Sequence, residues 1–508
     1  MLKLSLNVQS SLNIIGSIVV VIINVAINFL LSPYIVKHIG IEANGYITLA
    51  NNFISYIALV TTALNSMAGR FILIDYRKGN SQSANEYYSS VLLGDWILAG
   101  IFFVPMIFFI IFIDYVIKVT DESLFDTQIL FAIIFFNYVV NLCLPQWRTA
   151  TYCTNNLYLR SISNASAAIV RALFIFLLFY FFKPHSYFIA IAACIMSSVG
   201  LFLDYAFYRL LMPSLQWKIS FFRLKKVYEL VSSGIWNTIS QCGNILLEGL
   251  DILIANIFIN PVMSGMLALS KVIPNMITQI TGSIATTYGP RLMYLYADND
   301  QKGIIREIKN DMFYISLIAN IPIAVFISYG DSFFQLWVPS QNAQQLYWLS
   351  CCSLLGMIFI GTSQCIVNIF AMVNKLKLNS LVVILSGLVN ILIIYLVLKY
   401  TDLGVYSIVL VSSTVSILRI LCFTLPYGAH CIEAPLGVFV LPYLKSISNI
   451  VMPIGIGIFF SNLYSVNNWW NLILMIAVTC LLSIVIEYFL VLNYEQRKII
   501  LQLLHIKR

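Results

Sequence analysis

The chain has 508 residues, of which 60% are hydrophobic and only 10% are charged. This composition, with a mean hydropathy of +0.89, excludes a soluble globular domain, because too little of the sequence is suited to face water. Apolar runs of about 20 residues, the length of a helix that crosses a ~30 Å hydrocarbon core, recur throughout. In such a protein, the distribution of the formal net charge of +8 among the loops indicates the orientation in the membrane.

In chain order, these runs predict an all-α polytopic membrane protein with about 14 transmembrane helices. The first run is too long for a signal peptide and lacks a small-residue cleavage site, so we expect it to be retained. No stretch resembles an extramembrane domain, and the longest predicted connections lie near 209–230, 290–311 and 425–445. The predicted spans are 12–36, 45–69, 89–113, 127–149, 160–182, 186–208, 231–258, 263–289, 312–330, 344–370, 379–400, 403–425, 446–464 and 469–493.

Basic residues concentrate in alternate loops, while the intervening loops are short and nearly neutral. By the positive-inside rule, the basic loops and both termini are cytoplasmic. The basic set comprises Arg70, Arg77, Lys78, Arg209, Lys218, Arg223, Lys225, Lys226, Arg291, Lys302, Arg306, Lys309, Lys375, Lys377, Arg497, Lys498, Lys507 and Arg508.

The sequence also repeats itself weakly at an offset of about 220 residues, which aligns Asn244 with Asn24 and Gly265 with Gly45. Duplicated bundles are typical of transporters that bind substrate between their halves. Each half has an even number of helices, so we expect parallel repeats. The predicted domains are an N-terminal lobe at 1–230 with helices 1–6, a C-terminal lobe at 231–430 with helices 7–12, and two extra helices with a cytoplasmic tail at 431–508.

Two polar stripes cross the otherwise apolar helices 7 and 8. Residues spaced by three and four positions share one helix face. Ionisable groups in a span cost roughly 2.5–3.5 kcal/mol each, so we expect these faces to meet a partner or a watery cavity. The stripes consist of Asn237, Gln241, Asn244, Glu248 and Asp251 on helix 7, and of Ser264, Lys271, Asn275 and Thr278 on helix 8.

Lys271 lies too deep in its predicted helix to be an ordinary flanking residue. A cation there suits an anionic substrate group such as phosphate. Alternatively, Lys271 forms a structural pair with Asp251 or Glu248, or its long stem carries the ammonium outward to the interface. Glu248 and Asp251, three residues apart, have the arrangement of an H⁺ or Na⁺ coupling site, but equally that of a partner for Lys271.

Four arginines lie at or inside the predicted cytoplasmic ends of their helices: Arg70, Arg148, Arg171 and Arg419. The planar guanidinium binds phosphate oxygens in a bidentate manner, so a ring of arginines at the inner mouth suits a diphosphate. Positive-inside anchoring explains Arg70 and Arg148 equally well. The sequence has no nucleotide-binding loop, metal-ligand cluster or Ser/His/Asp arrangement. We therefore expect neither an enzyme nor an ATP-driven pump, no cofactor and no nucleic-acid partner.

Three motifs resemble the bacterial polysaccharide flippases, the Wzx-like polysaccharide transport family of the MATE-like flippase superfamily. The similarity covers essentially the whole chain, and fourteen spans in two six-helix lobes plus two extra helices also fit that family. The motifs are Pro33-Tyr34-Ile35-Val36 with Ile39-Gly40-Ile41-Glu42-Ala43-Asn44-Gly45-Tyr46, then Gly69-Arg70-Phe71-Ile72, and in the second half Asp251-Ile252-Leu253-Ile254, Ser264-Gly265-Met266, Lys271 and Pro290-Arg291.

The resemblance implies a transporter of the bacterial cytoplasmic membrane that serves O-antigen, capsule or exopolysaccharide synthesis. Such a protein flips undecaprenyl-diphosphate-linked oligosaccharides to the outer leaflet by alternating access, among membrane lipids and with a polysaccharide polymerase and chain-length proteins as partners. In the related lipid II flippases a cation lies early in the eighth helix, the position of Lys271. The basic residues of their first two helices are replaced here by the neutral Asn24, Asn28 and Asn51.

Under this interpretation, Lys271 and the inner-mouth arginines hold the diphosphate, and exchange of a cation at Glu248 and Asp251 drives turnover. Two alternatives are a lipid II flippase and a drug/cation antiporter of the same superfamily; a purely structural membrane scaffold has no need of intramembrane charge. The residues expected to bind sugar hydroxyls are Asn24, Asn28, Asn237, Gln241, Asn244 and Asn275.

Overall fold

The structure is a computed structural model that describes residues 6–373, 375–464, 466–491 and 497. The predicted basic residues Lys498, Lys507 and Arg508 lie outside these ranges. All regular secondary structure within them is helical. The all-α prediction is therefore confirmed.

The helices of the first half follow one another with short connections, as expected for antiparallel membrane spans. They are α1 (Leu6–Asn65), α2 (Ala68–Arg77), α3 (Ser81–Ile111), α4 (Ile113–Val116), α5 (Leu124–Cys143), α6 (Arg148–Cys153), α7 (Leu157–Phe181), α8 (Tyr187–Leu211), α9 (Leu224–Asn244) and α10 (Asp251–Ile254).

The second half continues in the same way. Its helices are α11 (Pro261–Ser270), α12 (Val272–Ala297), α13 (Gln301–Trp337), α14 (Ala343–Met372), α15 (Leu376–Tyr400), α16 (Val405–Arg419), α17 (Leu425–Cys431), α18 (Val440–Ser448), α19 (Val451–Leu463) and α20 (Trp469–Ile486). Four π-helical segments extend or join them: Ile245–Gly249, Ala255–Ile259, Ile420–Thr424 and Glu487–Val491.

Within the described ranges, 11 helices are long and apolar enough to cross a membrane, or 12 if the bent pair Leu224–Gly249 and Asp251–Ile259 forms one span. Large apolar side chains face outward on them, such as Ile101 (58% exposed), Phe108 (58%) and Leu481 (64%). Backbone polar groups have no water to bind in lipid, so a helix that satisfies them internally is the form such a segment adopts. The protein is a multipass membrane protein.

The first apolar helix, Ile15–Arg77, contains two helices that meet at Gly40. There the backbone has φ 86° and ψ 167°, a conformation that glycine adopts without the steric cost of a Cβ atom. The two spans predicted at 12–36 and 45–69 are therefore present, but a kink at one residue joins them where the sequence predicted a longer connection.

The prediction of a loop at 290–311 is wrong. Helix α12 continues to Ala297 and α13 already begins at Gln301. Hydropathy marks only the part of a helix that lies in hydrocarbon, so it misses the polar turns that extend beyond it. The polar start of α13 thereby becomes part of the packed helices, with Glu307 and Asp311 buried.

The chain divides into two compact units. Unit 1 comprises Met1–Val272 and Lys377–Ile408, and unit 2 comprises Ile273–Leu376 and Val409–Arg508. In unit 1, helix α1 packs against α7, α9 and α11. In unit 2, helix α13 packs against α14, α18, α19 and α20. The lobes predicted at 1–230, 231–430 and 431–508 stay a prediction.

Candidate functional site

The seventh span is broken in its middle. Helix α9 ends at Asn244, the π-helical turn Ile245–Gly249 follows, and α10 begins at Asp251 after a bend of 42°. A π turn leaves backbone carbonyls outside the regular α-helical ladder, and such turns are frequent at functional sites. Broken helices in transporters commonly mark the place where substrate or coupling ions bind.

Side chains from other helices of unit 1 satisfy the carbonyls of this break. The Tyr56 hydroxyl donates to the Gly249 carbonyl at 2.7 Å, and Asn52 Nδ2 donates to the same oxygen at 3.4 Å. Asn390 Nδ2, on α15, donates to the carbonyls of Leu246 at 3.3 Å and Leu247 at 2.9 Å. Hydrogen bonds from α1 and α15 thus stabilise the break within unit 1.

The eighth predicted helix is also interrupted, at Lys271. Helix α11 ends at Ser270 and α12 begins at Val272. Pro274, four residues after Ser270, has no N–H to donate to the Ser270 carbonyl, so the regular ladder cannot continue there. Lys271 accordingly occupies the C-cap of α11, beside the break in the seventh span.

Lys271 forms an ion pair with Asp251. Its Nζ donates to Asp251 Oδ2, and it also lies 3.4 Å from the Glu248 carbonyl oxygen. The side chains are 15% and 3% exposed, respectively. Of the alternatives that the sequence left open, the structure thus contains the pair with Asp251. The two opposite charges attract each other, which offsets part of the cost of placing either one alone in an apolar span.

Close packing of α1 against α11 brings this pair into place. A Cβ atom added at Gly265 would lie 2.1 Å from the Ile41 carbonyl oxygen, and one at Gly45 would lie 2.8 Å from Ser264 Oγ. Only glycine permits so close an approach of two backbones. The sequence offset that aligns Gly265 with Gly45 therefore aligns two glycines at the same helix crossing.

The predicted stripe on helix 7 does not stay on one face. Gln241, Asn244 and Glu248 are exposed and Asn237 is half-buried, whereas Asp251 is buried. The spacing of three and four assumes an uninterrupted α-helix. One extra residue in a π turn rotates the following side chains by roughly 100°, which turns Asp251 inward to Lys271. Glu248 and Asp251 are thus in different environments.

The other predicted sugar-binding residues occupy several elements. Asn24 is half-buried and Asn28 exposed on α1. Asn275 is exposed on α12, in unit 2. The exposure of Asn28 and Asn275 leaves their amides accessible, which a sugar-binding role requires.

The four arginines differ in their surroundings. Arg148 Nε lies 2.7 Å from Oδ2 of Asp204, which is 1% exposed, so this arginine neutralises a buried acid. Arg70 is exposed. Arg171 is half-buried on α7, and its Nε has no hydrogen-bond partner among the described residues. Arg419 is half-buried at the end of α16, in unit 2. They do not form one ring within unit 1.

Several polar side chains inside the helices were not among the predicted site residues. Asp95, which is 2% exposed, accepts hydrogen bonds from Asn65 Nδ2 at 3.0 Å and Gln146 Nε2 at 3.3 Å. Asn390 and Tyr56 support the broken seventh span. Asparagine in an apolar run was the available signal for Asn65 and Asn390, but nothing in the spacing shows which carbonyl such a side chain reaches.

Two solved structures share this architecture across nearly their whole length. The lipid II flippase MurJ in an inward closed conformation is 15% identical, with a TM-score of 0.65 over 93% of this chain and 98% of that protein. An inward-facing multidrug resistance transporter of the MATE family, in the MOP superfamily, is 13% identical, with a TM-score of 0.60 over 81% and 98%. The chain has the fold of these transporters.

A sequence relative also matches throughout. The uncharacterized membrane protein EpsK of Bacillus subtilis (strain 168) is 23% identical over 501 residues, which cover 97% of each chain. No protein-family model matches the chain. These likenesses establish the architecture, so the role of the Lys271–Asp251 site has to be argued from its own chemistry.

Proposed function

We propose that this protein is a flippase that moves undecaprenyl-diphosphate-linked oligosaccharide units from the inner to the outer leaflet of the bacterial cytoplasmic membrane by alternating access, with both termini in the cytoplasm. The observation that carries the proposal is the Lys271–Asp251 pair beside the two interrupted helices. An intramembrane cation suits an anionic head group. The surface polysaccharide made from these units is O-antigen, capsule or exopolysaccharide.

The ion pair gives the site a way to respond to substrate. A diphosphate carries more negative charge than one carboxylate and offers several acceptor oxygens, so it competes with Asp251 for the Lys271 ammonium. When Lys271 turns to the diphosphate, Asp251 loses the cation that balances its charge while remaining 3% exposed. An uncompensated buried carboxylate is costly, so Asp251 then takes up a proton or Na⁺.

This exchange links substrate binding to a coupling ion. Glu248, exposed on the π turn, supplies a second carboxylate at the accessible side of the break. Release of the diphosphate on the other side of the membrane restores the Lys271–Asp251 pair and expels the ion. The coupled ion is H⁺ or Na⁺, bound at Glu248 and Asp251. Because it leaves the cytoplasm together with the diphosphate, an outwardly directed gradient of this ion favours export.

Neutral amides suit the sugar part of the substrate. Amide side chains donate to and accept from hydroxyl groups without the desolvation cost of a full charge. Gln241 and Asn244 are exposed on α9, and Asn28 is exposed on α1. Asn24 and Asn237 join them as proposed oligosaccharide contacts of unit 1, and Asn275 is a proposed contact of unit 2. Arg171, which has an Nε without a partner among the described residues, is the arginine best suited to a phosphate in unit 1.

The extent of the structural matches favours a lipid-linked substrate. MurJ, named as a lipid II flippase, covers 93% of this chain, whereas the MATE multidrug transporter covers 81%. The additional coverage accords with the two extra helices predicted beyond the two six-helix lobes. A lipid II flippase is the second candidate on the same ground, but the neutral Asn24 and Asn28 favour an oligosaccharide without a lipid II head group.

Complementation tests the proposal. The chain is expressed in cells that lack their own polysaccharide flippase, and surface polysaccharide is measured; restored export is expected. Expression in cells depleted of their lipid II flippase tests the second candidate, because only a lipid II flippase would rescue their growth. Uptake of fluorescent organic cations by vesicles that contain the protein tests the third possibility, because a drug/cation antiporter would transport them. Organic-cation uptake without restored export would reject the proposal.

A further inference from the structure

Asp311 is a fully buried acid in unit 2. It lies on α13 with 0% exposure, and neither carboxylate oxygen has a hydrogen-bond partner among the residues that the structure describes. Its neighbours Ile308 and Met312 belong to the apolar core of this unit, and so does Cys365 of α14, which interacts with Asp311 electrostatically. Asp311 therefore differs from Asp251, whose charge Lys271 neutralises.

Five ionisable groups act on Asp311 from the elements around it. They are Glu307 and Tyr314 on α13, Arg291 and Tyr288 on α12, and Cys365 on α14. Helix α18 contributes Tyr443 to unit 2, and the π-helical segment Glu487–Val491 contributes Glu487. Neither is among the groups that act on Asp311. The one cation in this set is Arg291.

Arg291 is engaged by a different acid. Its Nε lies 2.9 Å from Oε1 of Glu307, and its side chain is 69% exposed. The guanidinium makes no hydrogen bond to Asp311, both of whose oxygens lack partners among the described residues. The net charge of Arg291, Glu307 and an ionised Asp311 would be −1, with the uncompensated charge at the most buried position.

A carboxylate that is buried without hydrogen bonds or a cation is costly, and such groups bind a proton instead of remaining charged. The neighbouring Glu307 carboxylate adds repulsion between like charges. We propose that Asp311 is a proton-binding site in unit 2, separate from the Lys271–Asp251 site. Binding joins one proton to one carboxylate oxygen, and no other bond changes.

The residues on α13 also offer a route for that proton. Glu307 and Asp311 are four residues apart and share one helix face. The side-chain exposure rises from Asp311 at 0% to Glu307 at 8% and Arg291 at 69%. A proton from water therefore reaches Glu307 first and passes to Asp311, at the end of α13 that the basic residues place in the cytoplasm.

Infrared spectroscopy of the full-length protein in lipid nanodiscs tests proton binding directly. A protonated carboxyl has a carbonyl stretch at higher frequency than either carboxylate stretch, and that stretch shifts in D₂O. We expect the wild type to show such a band at neutral pH, and the Asp311→Asn variant to lose the intensity that one carboxyl group contributes. The matched control is Asp331→Asn on the same helix, which should retain the band.

Loss of a carboxylate band instead of a carboxylic-acid band in Asp311→Asn would show that Asp311 is ionised and would overturn the proposal. Asparagine matches aspartate in size, and Asp311→Leu provides a second variant if the first fails to fold. A carboxylic-acid band of unchanged intensity in a folded Asp311→Leu protein would also overturn it.

Transport experiments test the role of the proton, which rests on the proposed function. Vesicles containing the protein and a fluorescent undecaprenyl-diphosphate oligosaccharide are given a pH gradient. We expect the gradient to accelerate flipping by the wild type and by Asp331→Asn, but not by Asp311→Asn. If no variant flips this lipid while the infrared band is present, the proposed function fails and the proton site stands. If Asp311→Asn responds to the gradient like the wild type, the coupling role is refuted.

Discussion

Replacing Asp251 by asparagine while retaining Lys271 should destabilise the protein strongly. The two side chains are 3% and 15% exposed, so water screens their interaction little. Removing one partner of a buried pair leaves an uncompensated charge and costs roughly 3–5 kcal/mol. The converse variant, Lys271→Met, removes the cation from the buried carboxylate and should cost a similar amount.

The double variant Asp251→Asn/Lys271→Met should recover much of this loss, since neutral side chains often replace a buried pair with little change in stability. Unfolding free energies from reversible denaturation in mixed detergent micelles, followed by tryptophan fluorescence, give the coupling energy. Because each single variant is expected to cost ~3–5 kcal/mol and the double variant less than either one, we expect a coupling energy above ~3 kcal/mol, beyond the usual range for contacting residues. Single variants that each cost under ~0.5 kcal/mol, or effects that simply add, would refute a stabilising buried pair.

Three further variants probe the supports of this site, each measured as the free energy of unfolding in the same detergent titration. Gly265→Ala places a Cβ atom 2.1 Å from the Ile41 carbonyl oxygen and should cost ~1–3 kcal/mol; Gly100→Ala, which has no neighbour within 4 Å, should be neutral or stabilising. Tyr56→Phe removes the donor to the Gly249 carbonyl and should cost ~1–3 kcal/mol, and an unchanged value would show that the carbonyl finds another donor. Arg148→Gln removes the cation beside Asp204, which is buried at 1% exposure. Because Arg148 is 47% exposed, we expect a loss of stability of ~1–2 kcal/mol, smaller than for the Lys271–Asp251 variants. Adding Asp204→Asn to the Arg148→Gln variant should reduce this loss.

The helical architecture was predictable because lipid allows few alternatives. Apolar runs must satisfy their backbone internally, so most of each predicted span lies on helical residues in the part of the chain that the structure describes. The breaks in the seventh and eighth predicted helices were harder to predict from the sequence. Pro274 is a sequence signal for the break at Lys271, but the π turn at Ile245–Gly249 has no comparable signal, and it moves Asp251 out of the stripe that its spacing predicted.

The charged part of the site was predictable in composition but not in pairing. The sequence singled out Lys271 and offered both Asp251 and Glu248 as partners; only the helix break decides that Asp251 turns inward. Asp311 was overlooked because hydropathy placed it in a loop, whereas α13 begins at Gln301 and buries it. A polar helix start and a loop look alike to any measure based on apolar content.

Flipping of a fluorescent undecaprenyl-diphosphate oligosaccharide in reconstituted vesicles tests most directly whether Lys271 receives the diphosphate. A membrane-impermeant reagent that quenches outer-leaflet label reports the rate for the wild type, Lys271→Arg, and Lys271→Ala combined with Asp251→Asn to avoid an uncompensated acid. We predict that Lys271→Arg retains flipping, because a cation remains at position 271. The neutral pair, which is the double variant Lys271→Ala/Asp251→Asn, should lose flipping at unchanged protein levels. Wild-type flipping by the neutral pair would contradict a role for the Lys271 cation and would leave Lys271–Asp251 as a structural pair.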